Sequence, residues 1–348
     1  MNDYRRKLDA YTLARQKFEA EANAYWTAIA DKRRARNAKR RDKQEIVLDD
    51  YVLTQPPVYS GPAKPVDPSG ATDPAPRAYV PVTADFLKAA KEHFDFVPQQ
   101  PRSEIEFKRA YARVAAAAGI SKDQAVRVYG FEVGGNGSYD TQAGLEHSRD
   151  ARAISTALGY NQLLNANSVN LMSEQGDHFI KALKAKAANL GGVEKAALEK
   201  KTGALARMVA FCRTVPNQWG EQEKLANTPK GLGVHAMNLD IDVGPLLQTH
   251  KLLASIVFAR MKGHKGVLSA AELEMMNLTG DGNGFDIVTM PEAMREQVPT
   301  ANFFRRSGYE RNPVAIRNNV VTKLLAVTDA RMDRAVKLQG AKDLAAAF

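Results

Sequence analysis

Two carboxylates flank a glycine-rich turn in the stretch YGFEVGGNGSYDTQAGLE, residues 129–146. Glu132 stands just before a pair of glycines, and Asp140 follows eight residues later. A carboxylic acid that keeps its proton near neutral pH can protonate a leaving oxygen, and a nearby carboxylate can stabilise the cation that develops, as in glycoside cleavage. Glu132 and Asp140 are therefore candidate catalytic residues.

Glu132 ends a predicted helix, SKDQAVRVYGFE, in which Ala125, Val128 and Tyr129 share one face. A carboxylate at this end opposes the helix dipole, and it lies on or beside the apolar face. Both effects are expected to raise the pKa of Glu132. In the alternative interpretation, Glu132 points to solvent or accepts hydrogen bonds from the backbone of the following loop.

The elements that position this stretch are predicted to be helices. Capping boxes, in which a Ser is followed three residues later by Glu or Gln, begin at Ser103, Ser121 and Ser269. Convincing alternating strands are missing from the same part of the sequence. We therefore expect an all-α body with a short β-turn region at 133–145.

Three segments follow one another along the chain. Residues 1–50 are predicted to form an amphipathic helical arm, because apolar residues recur there at spacings of three, four and seven. Residues 51–82 hold half of the sixteen prolines, which predicts an extended linker. Residues 83–348 form the predicted all-helical domain.

The arm ends in KRRARNAKRRDK, residues 32–43, where eight of twelve residues are basic. These cations suit a solvated helix C-terminus. They also suit an anchor for an anionic polymer or a membrane surface, and the net charge of +10 agrees with a polyanionic partner. Nucleic acid would bind through the same run, but the body offers no groove-reading motif, so no specific nucleic acid is expected.

The sequence gives no sign of a metal or a cofactor. The six histidines are scattered, Cys212 is the single cysteine, and no phosphate-binding glycine motif joins a strand to a helix. Cys212 is expected to be a small buried residue. The N-terminus lacks an apolar signal segment, so a periplasmic or cell-envelope location is expected only if an upstream signal is missing.

A second stretch of interest is ISTALGYNQLLNANSVNL, residues 154–171. A Glu at a helix end, then a Ser, a glycine turn and a Gly-aromatic-x-Gln-Leu run make the chain resemble the lysozyme-like superfamily. Within it, the chain is similar to bacterial lytic transglycosylases of the soluble type. A third block, Met276-Asn277 before Gly280, matches the Tyr-Asn pair of that family, and the resemblance covers roughly residues 100–290.

The resemblance implies a lysozyme-like domain that cuts the MurNAc–GlcNAc linkage in peptidoglycan glycan strands, with Glu132 as general acid and then general base. The implied saccharide-binding residues are Ser155, Tyr160, Asn161, Gln162 and Asn277. Val133 stands where the family has Ser, and Met276 stands where it has Tyr. A non-catalytic peptidoglycan-binding or scaffold protein with a degenerate lysozyme-like fold is therefore the alternative.

Asp140 decides between two kinds of product. Phage-type lysozymes of the same superfamily place an Asp across a hairpin from the catalytic Glu, and Asp140 has nearly that spacing. If Asp140 faces the cleft, hydrolysis is expected. If it faces outward, Glu132 acts alone, the C6 hydroxyl of the sugar attacks, and an anhydro product forms. The structural alternative is an Asx-turn that closes the loop.

A last cluster, ANFFRRSGYERNP at residues 301–313, sets aromatic side chains among arginines. Tyr309 and its neighbours suit stacking on sugar rings and pairing with the carboxylates of peptide stems. They equally suit a pair of helices that pack their aromatic rings inward.

Overall fold

The computed structural model describes residues 2–68, 78–145 and 152–348, and the chain is mostly helical over these residues. This confirms the prediction of an all-α chain. In chain order the α-helices are α1 Asn2–Arg41, α2 Thr83–Phe94, α3 Glu104–Ala117, α4 Lys122–Glu132, α5 Asn165–Ala188, α6 Gly192–Cys212, α7 Trp219–Ala226, α8 Pro229–His235, α9 Gly244–Met261, α10 Ala270–Thr279, α11 Asp281–Thr289, α12 Glu292–Arg295, α13 Arg306–Glu310, α14 Pro313–Arg317, α15 Val321–Ala335 and α16 Gln339–Ala347.

Short 3-10 turns at Leu48–Asp50, Ala236–Leu239 and Thr300–Phe303 complete the helical elements of the described residues. Extended pairing in the described part of the chain is limited to isolated antiparallel bridges. Gln142 and Leu163 each pair with Leu158, and Pro299 pairs with Val320. None of the described helices is long and apolar enough to cross a membrane.

The chain folds as two compact units, each built from two stretches of sequence. The first unit contains Met1–Ala78 and Leu278–Thr328, and the second contains Tyr79–Asn277 and Asp329–Phe348. From the sequence, residues 278–328 were predicted to belong to the C-terminal domain, whereas here they fold with the N-terminal arm. The reason is electrostatic, because these residues supply the partners of the arm's basic side chains.

Arg36 of α1 belongs to the first unit and is fully buried. Its Nε donates to Asp286 Oδ2 at 3.2 Å, and its terminal nitrogens donate to the backbone oxygens of Asp50 (2.9 Å) and Asn302 (3.3 Å). The guanidinium also stacks on the ring of Tyr51, 4.3 Å from the centroid. Burial lowers the pKa of Arg36, so these partners offset the cost of holding the charge away from water.

Other members of the 32–43 run are used in the same way. Arg40 forms an ion pair with Asp286, Lys39 pairs with Asp50 at 2.7 Å, and Arg33 donates to the backbone oxygen of Phe304 at 2.8 Å. Burial lowers the pKa of Arg33 to about 10. Much of the basic run therefore holds the unit together, and this explains an excess of charge that a helix end alone does not require.

The predicted linker is described at residues 51–68 and 78–82. These residues are extended and contain no helix. Two tyrosines of the linker pack against other residues of the first unit. Tyr51 is buried, and the ring of Tyr59 lies edge-on to Phe18 at 5.5 Å between centroids. Residues 69–77 of the linker lie outside the described residues.

The core of the second unit forms where α5 packs along α6, with α2, α7 and α8 against them. Its fully buried side chains include Phe86, Leu163, Met172, Phe179 and Met208. Cys212 is buried in the same core, as predicted, and burial raises the pKa of its thiol to about 12. In the same unit, α3 packs on α9, and α16 packs on α3 and α4.

Asp286 gives a direct test of the first unit. Asp286→Asn removes the carboxylate that faces two buried or half-buried guanidinium groups, so we expect the first unit to lose about 3–5 kcal/mol of unfolding free energy. Denaturant unfolding followed by Trp26 fluorescence in a Trp219→Phe background reads this unit. Asp31→Asn, which breaks the exposed pair with Arg34, is the control and should leave the transition unchanged. Equal midpoints for Asp286→Asn and the control would contradict this role for Asp286.

Candidate functional site

Glu132 is the last residue of α4, as the sequence predicted. The helix starts at a capping box, in which Ser121 Oγ accepts from Gln124 N and the Gln124 side chain accepts from Ser121 N. It stops because Gly134 and Gly135 adopt left-handed backbone conformations, with φ of 70° and 77°. The carboxyl group of Glu132 is thus presented where the helix ends.

Three helices bring partners to Glu132, and Asn277 of α10 provides the direct contact. Its Nδ2 donates to Glu132 Oε1 at 2.5 Å. Lys251 of α9 and Arg331 of α15 add positive charge that favours the ionised form of Glu132. The guanidinium of Arg331 also lies over the ring of Phe131, 4.6 Å from the centroid.

The position of α15 beside α4 follows from a second set of charges. Arg127 of α4 donates to Asp329 Oδ1 and to Asp333 Oδ1 of α15, each at 2.7 Å. At Gly135 the backbone comes so close to α15 that an added Cβ would lie 2.4 Å from the carbonyl oxygen of Ala335. Glycine is therefore required at position 135 for close packing as well as for its positive φ.

A second carboxyl group, which was not predicted from the sequence, belongs to this cluster. Glu274 lies one turn before Asn277 on α10 and is 1% exposed. Asn277 also hydrogen-bonds to Glu274, and the Oε2 atom of Glu274 has no hydrogen-bond partner among the described residues. The cluster therefore contains a half-buried acid, Glu132, and a fully buried acid, Glu274, joined by one amide.

The electrostatics of the two acids differ from those of exposed glutamates. Loss of water around the carboxyl group raises the pKa of Glu132 to about 7, although Lys251, Asn277 and Arg331 act in the opposite direction. Burial and then the repulsion from Glu132 raise the pKa of Glu274 well above its ordinary value. The raised pKa of Glu132 agrees with the direction predicted from the sequence, and burial is its main cause.

Asp140 is exposed and lies in the turn that follows α4. Its carboxylate accepts a hydrogen bond from Ser138 Oγ, two residues earlier. The negative charge of Asp140 acts on Glu104. Burial raises the pKa of Glu104, and Asp140 raises it further. This geometry matches the local turn interaction that was the structural alternative for Asp140.

Ser155 and Gln162 hold together the turn that contains the second stretch of interest. Ser155 Oγ accepts from Ala157 N at 3.2 Å. Gln162 has a φ of 41°, and its Nε2 donates to the backbone oxygens of Thr141 (3.0 Å) and Gly159 (2.9 Å). Both side chains therefore stabilise the local backbone in this structure.

Tyr160 and Asn161, which were expected to bind saccharide, are instead core residues with no exposed surface. The Tyr160 ring packs edge-on to Phe107, Tyr111 and Tyr129, and its hydroxyl donates to Glu104. The Asn161 amide donates to the backbone oxygen of Gln248 at 2.7 Å and to Tyr111 Oη at 3.0 Å. A bound sugar cannot reach either side chain without unpacking this core.

Tyr309 belongs to the first unit, where it is buried. Its ring lies against Trp26 and Phe304, with centroids 5.6 Å and 6.0 Å away. This is the inward packing that was the structural alternative to stacking on sugar rings.

Asn277 is thus the predicted binding residue that the structure brings to Glu132. The residues missed by sequence reasoning are Glu274, Lys251 and Arg331. Glu274 had a detectable signal, because it stands inside the apolar run Leu273–Met276 of a capped helix, where an ionised side chain is unfavourable. Lys251 and Arg331 had no detectable signal in the sequence, because their proximity to Glu132 depends on how four helices pack.

The raised pKa of Glu132 predicts a pH-dependent gain in stability for Glu132→Gln. The folded protein holds this proton more tightly than the unfolded chain, whose ordinary value is 4.5. The resulting stability is complete below about pH 4.5 and is lost as the pH rises towards 7. We therefore expect Glu132→Gln to match the wild type near pH 4.5 and to exceed it by about 3 kcal/mol near pH 8.

Hydrogen exchange read by mass spectrometry on peptides of α5 and α6 measures this difference for the second unit. Glu223→Gln removes one charge from an exposed position of α7 and serves as the control at each pH. A constant difference between Glu132→Gln and wild type across the pH range would show that Glu132 titrates normally.

No protein family, no curated protein and no solved structure matches this chain.

Proposed function

We propose that this chain is a peptidoglycan-cleaving lytic transglycosylase with a lysozyme-like second unit, in which Glu132 acts as general acid and then as general base. The observation that carries the proposal is the hydrogen bond between Glu132 and Asn277, 145 residues apart in sequence. These residues come from two separate sequence blocks that resemble the lytic transglycosylases. Their contact is what a shared catalytic site would require.

The protonation of Glu132 supports the same chemistry. A general acid works best when its pKa lies near the working pH, and burial raises the pKa of Glu132 to about 7. At neutral pH a large fraction of the molecules would hold the proton needed for the glycosidic oxygen. A freely exposed glutamate would be almost fully ionised at the same pH.

The proposed reaction has two steps and leaves Glu132 unchanged. Glu132 first donates its proton to the glycosidic oxygen as the C1–O bond breaks, which leaves a carboxylate and a positively charged sugar. The carboxylate then takes the proton of the C6 hydroxyl as O6 bonds to C1, which closes the anhydro ring. Lys251 and Arg331 favour the carboxylate that exists between the two steps.

The exposed position of Asp140 favours the anhydro product over the hydrolytic one. Its carboxylate is exposed and engaged with Ser138, and it is not among the groups that set the pKa of Glu132. Hydrolysis needs a second carboxylate or a held water on the opposite face of the sugar. With Asp140 occupied in its turn, the C6 hydroxyl is the available nucleophile. The net charge of +10 also suits an anionic wall polymer.

The central test uses purified full-length protein and isolated peptidoglycan sacculi. Wild type is expected to release soluble muropeptides, and Glu132→Gln to release them at least about 100-fold more slowly, because general acid–base catalysis is lost. Glu223→Gln is the control for a lost charge and should match wild type. Mass spectrometry of the released fragments measures the effect.

Two results would contradict the proposed activity. One is equal release by wild type and Glu132→Gln, and the other is no release by either protein. In the second case, retention of wild type on sacculi without turnover would support the non-catalytic binding protein instead.

Asp140→Asn tests the product separately. We expect release within about threefold of wild type, with fragments that end in the anhydro sugar and are lighter by one water than hydrolytic fragments, since Asp140 does not take part. Ser138→Ala, which removes the turn partner of Asp140, is the matched control and should behave alike. Loss of most activity in Asp140→Asn, or fragments with ordinary reducing ends from wild type, would assign Asp140 a direct role.

A further inference from the structure

The carboxyl group of Glu274 lies where burial makes the ionised form energetically unfavourable. It is 1% exposed and lies among apolar residues of α10, including Leu273 and Met275, which are fully buried. Its Oε2 atom has no hydrogen-bond partner among the described residues. A bare buried oxygen that carried negative charge would be strongly destabilising, whereas a protonated one is neutral.

The charged groups that act on Glu274 come from three other helices. Glu132 of α4 repels its ionised form, while Lys251 of α9 and Arg331 of α15 attract it. Glu132 is half-buried, and Glu274 is not exposed. If one of the two acids must be neutral, the one further from water is Glu274.

Asn277 links the two carboxyl groups through hydrogen bonds. Its amide donates to Glu132 Oε1 at 2.5 Å and also hydrogen-bonds to Glu274 one turn earlier on the same helix. An amide that makes two hydrogen bonds has little freedom to rotate. The orientation of the Glu132 carboxyl therefore depends on Glu274 as well as on Asn277.

We propose that Glu274 is a positioning residue for Glu132, kept as a neutral carboxylic acid and linked to it through the Asn277 amide. Its neutrality leaves Glu132 as the group that loses and regains a proton, and its link fixes the Glu132 side chain. A related use of a carboxylic acid held neutral by an apolar site is known in enzyme catalysis. The catalytic part of this inference rests on the proposed function, whereas the protonation of Glu274 does not.

The protonation state can be tested without substrate. In protein labelled with ¹³C at the glutamate carboxyl groups, NMR titration follows Glu132 in wild type and in Glu274→Gln, where the amide mimics the neutral acid. We expect the Glu132 midpoint to stay within about half a pH unit of wild type, because a neutral group has been replaced by a neutral group. Glu274 should show its own midpoint above that of Glu132, and this signal should vanish in Glu274→Gln.

A fall of the Glu132 midpoint by about one pH unit or more in Glu274→Gln would overturn the proposal, because it would mean that an ionised Glu274 had been raising it. Glu132→Gln provides the reciprocal measurement. There the midpoint of Glu274 should move down, since the repulsion from Glu132 is gone. An unchanged Glu274 midpoint would also count against the coupling.

The positioning role is tested on sacculi with two variants of the same residue. Glu274→Gln keeps a polar partner for Asn277 and should release muropeptides within about threefold of wild type, with the same alkaline limb in its pH profile. Glu274→Leu removes the partner and should lose about tenfold or more across the pH range. Equal activity of the two variants would overturn the link, provided that circular dichroism shows both to be folded.

The two proposals fail in different ways. If sacculi are not cleaved by any of the proteins, the proposed function fails, while the NMR titration still decides the protonation of Glu274. If wild type cleaves sacculi and the titration shows an ionised Glu274, the proposed function stands and the inference about Glu274 fails.

Discussion

The free-energy cost of holding charge away from water governs the cluster around Glu132. Two glutamates, Glu132 and Glu274, lie in a region where burial favours the protonated acid, and repulsion from Glu132 adds to that preference at Glu274. Lys251 and Arg331 act in the other direction and keep the pKa of Glu132 near 7. The pKa of Glu132 that the proposed chemistry needs is therefore set by opposing effects of groups on four helices.

The first unit meets the same cost in another way. Arg36 is fully buried, and Asp286 together with backbone oxygens supplies the acceptors that its guanidinium requires. Here complete pairing preserves the charge, whereas at Glu274 incomplete pairing favours its loss. This contrast explains why buried Arg36 serves to stabilise the fold, whereas buried Glu274 can carry a proton.

Local signals in the sequence predicted local features well. The capping residues of α4, the glycines that end it and the position of Glu132 all follow from interactions within a few residues. The direction in which Tyr160 and Asn161 point could not be predicted this way, because a short Gly-aromatic-x-Gln pattern does not specify which side chains enter the core. The partners of Arg36 and the roles of Lys251 and Arg331 depend on contacts between distant segments, which a single sequence does not reveal.

Infrared difference spectroscopy of the full-length protein tests the central claim, that the two glutamates hold protons near neutral pH, most directly. The carbonyl stretch of a protonated carboxylic acid separates it from carboxylates. The account predicts that the signal of protonated acids near pH 6 is weaker in Glu132→Gln and in Glu274→Gln than in the wild type, because each substitution removes one protonated carboxyl group. A wild-type spectrum near pH 6 that contains carboxylates alone would contradict the account.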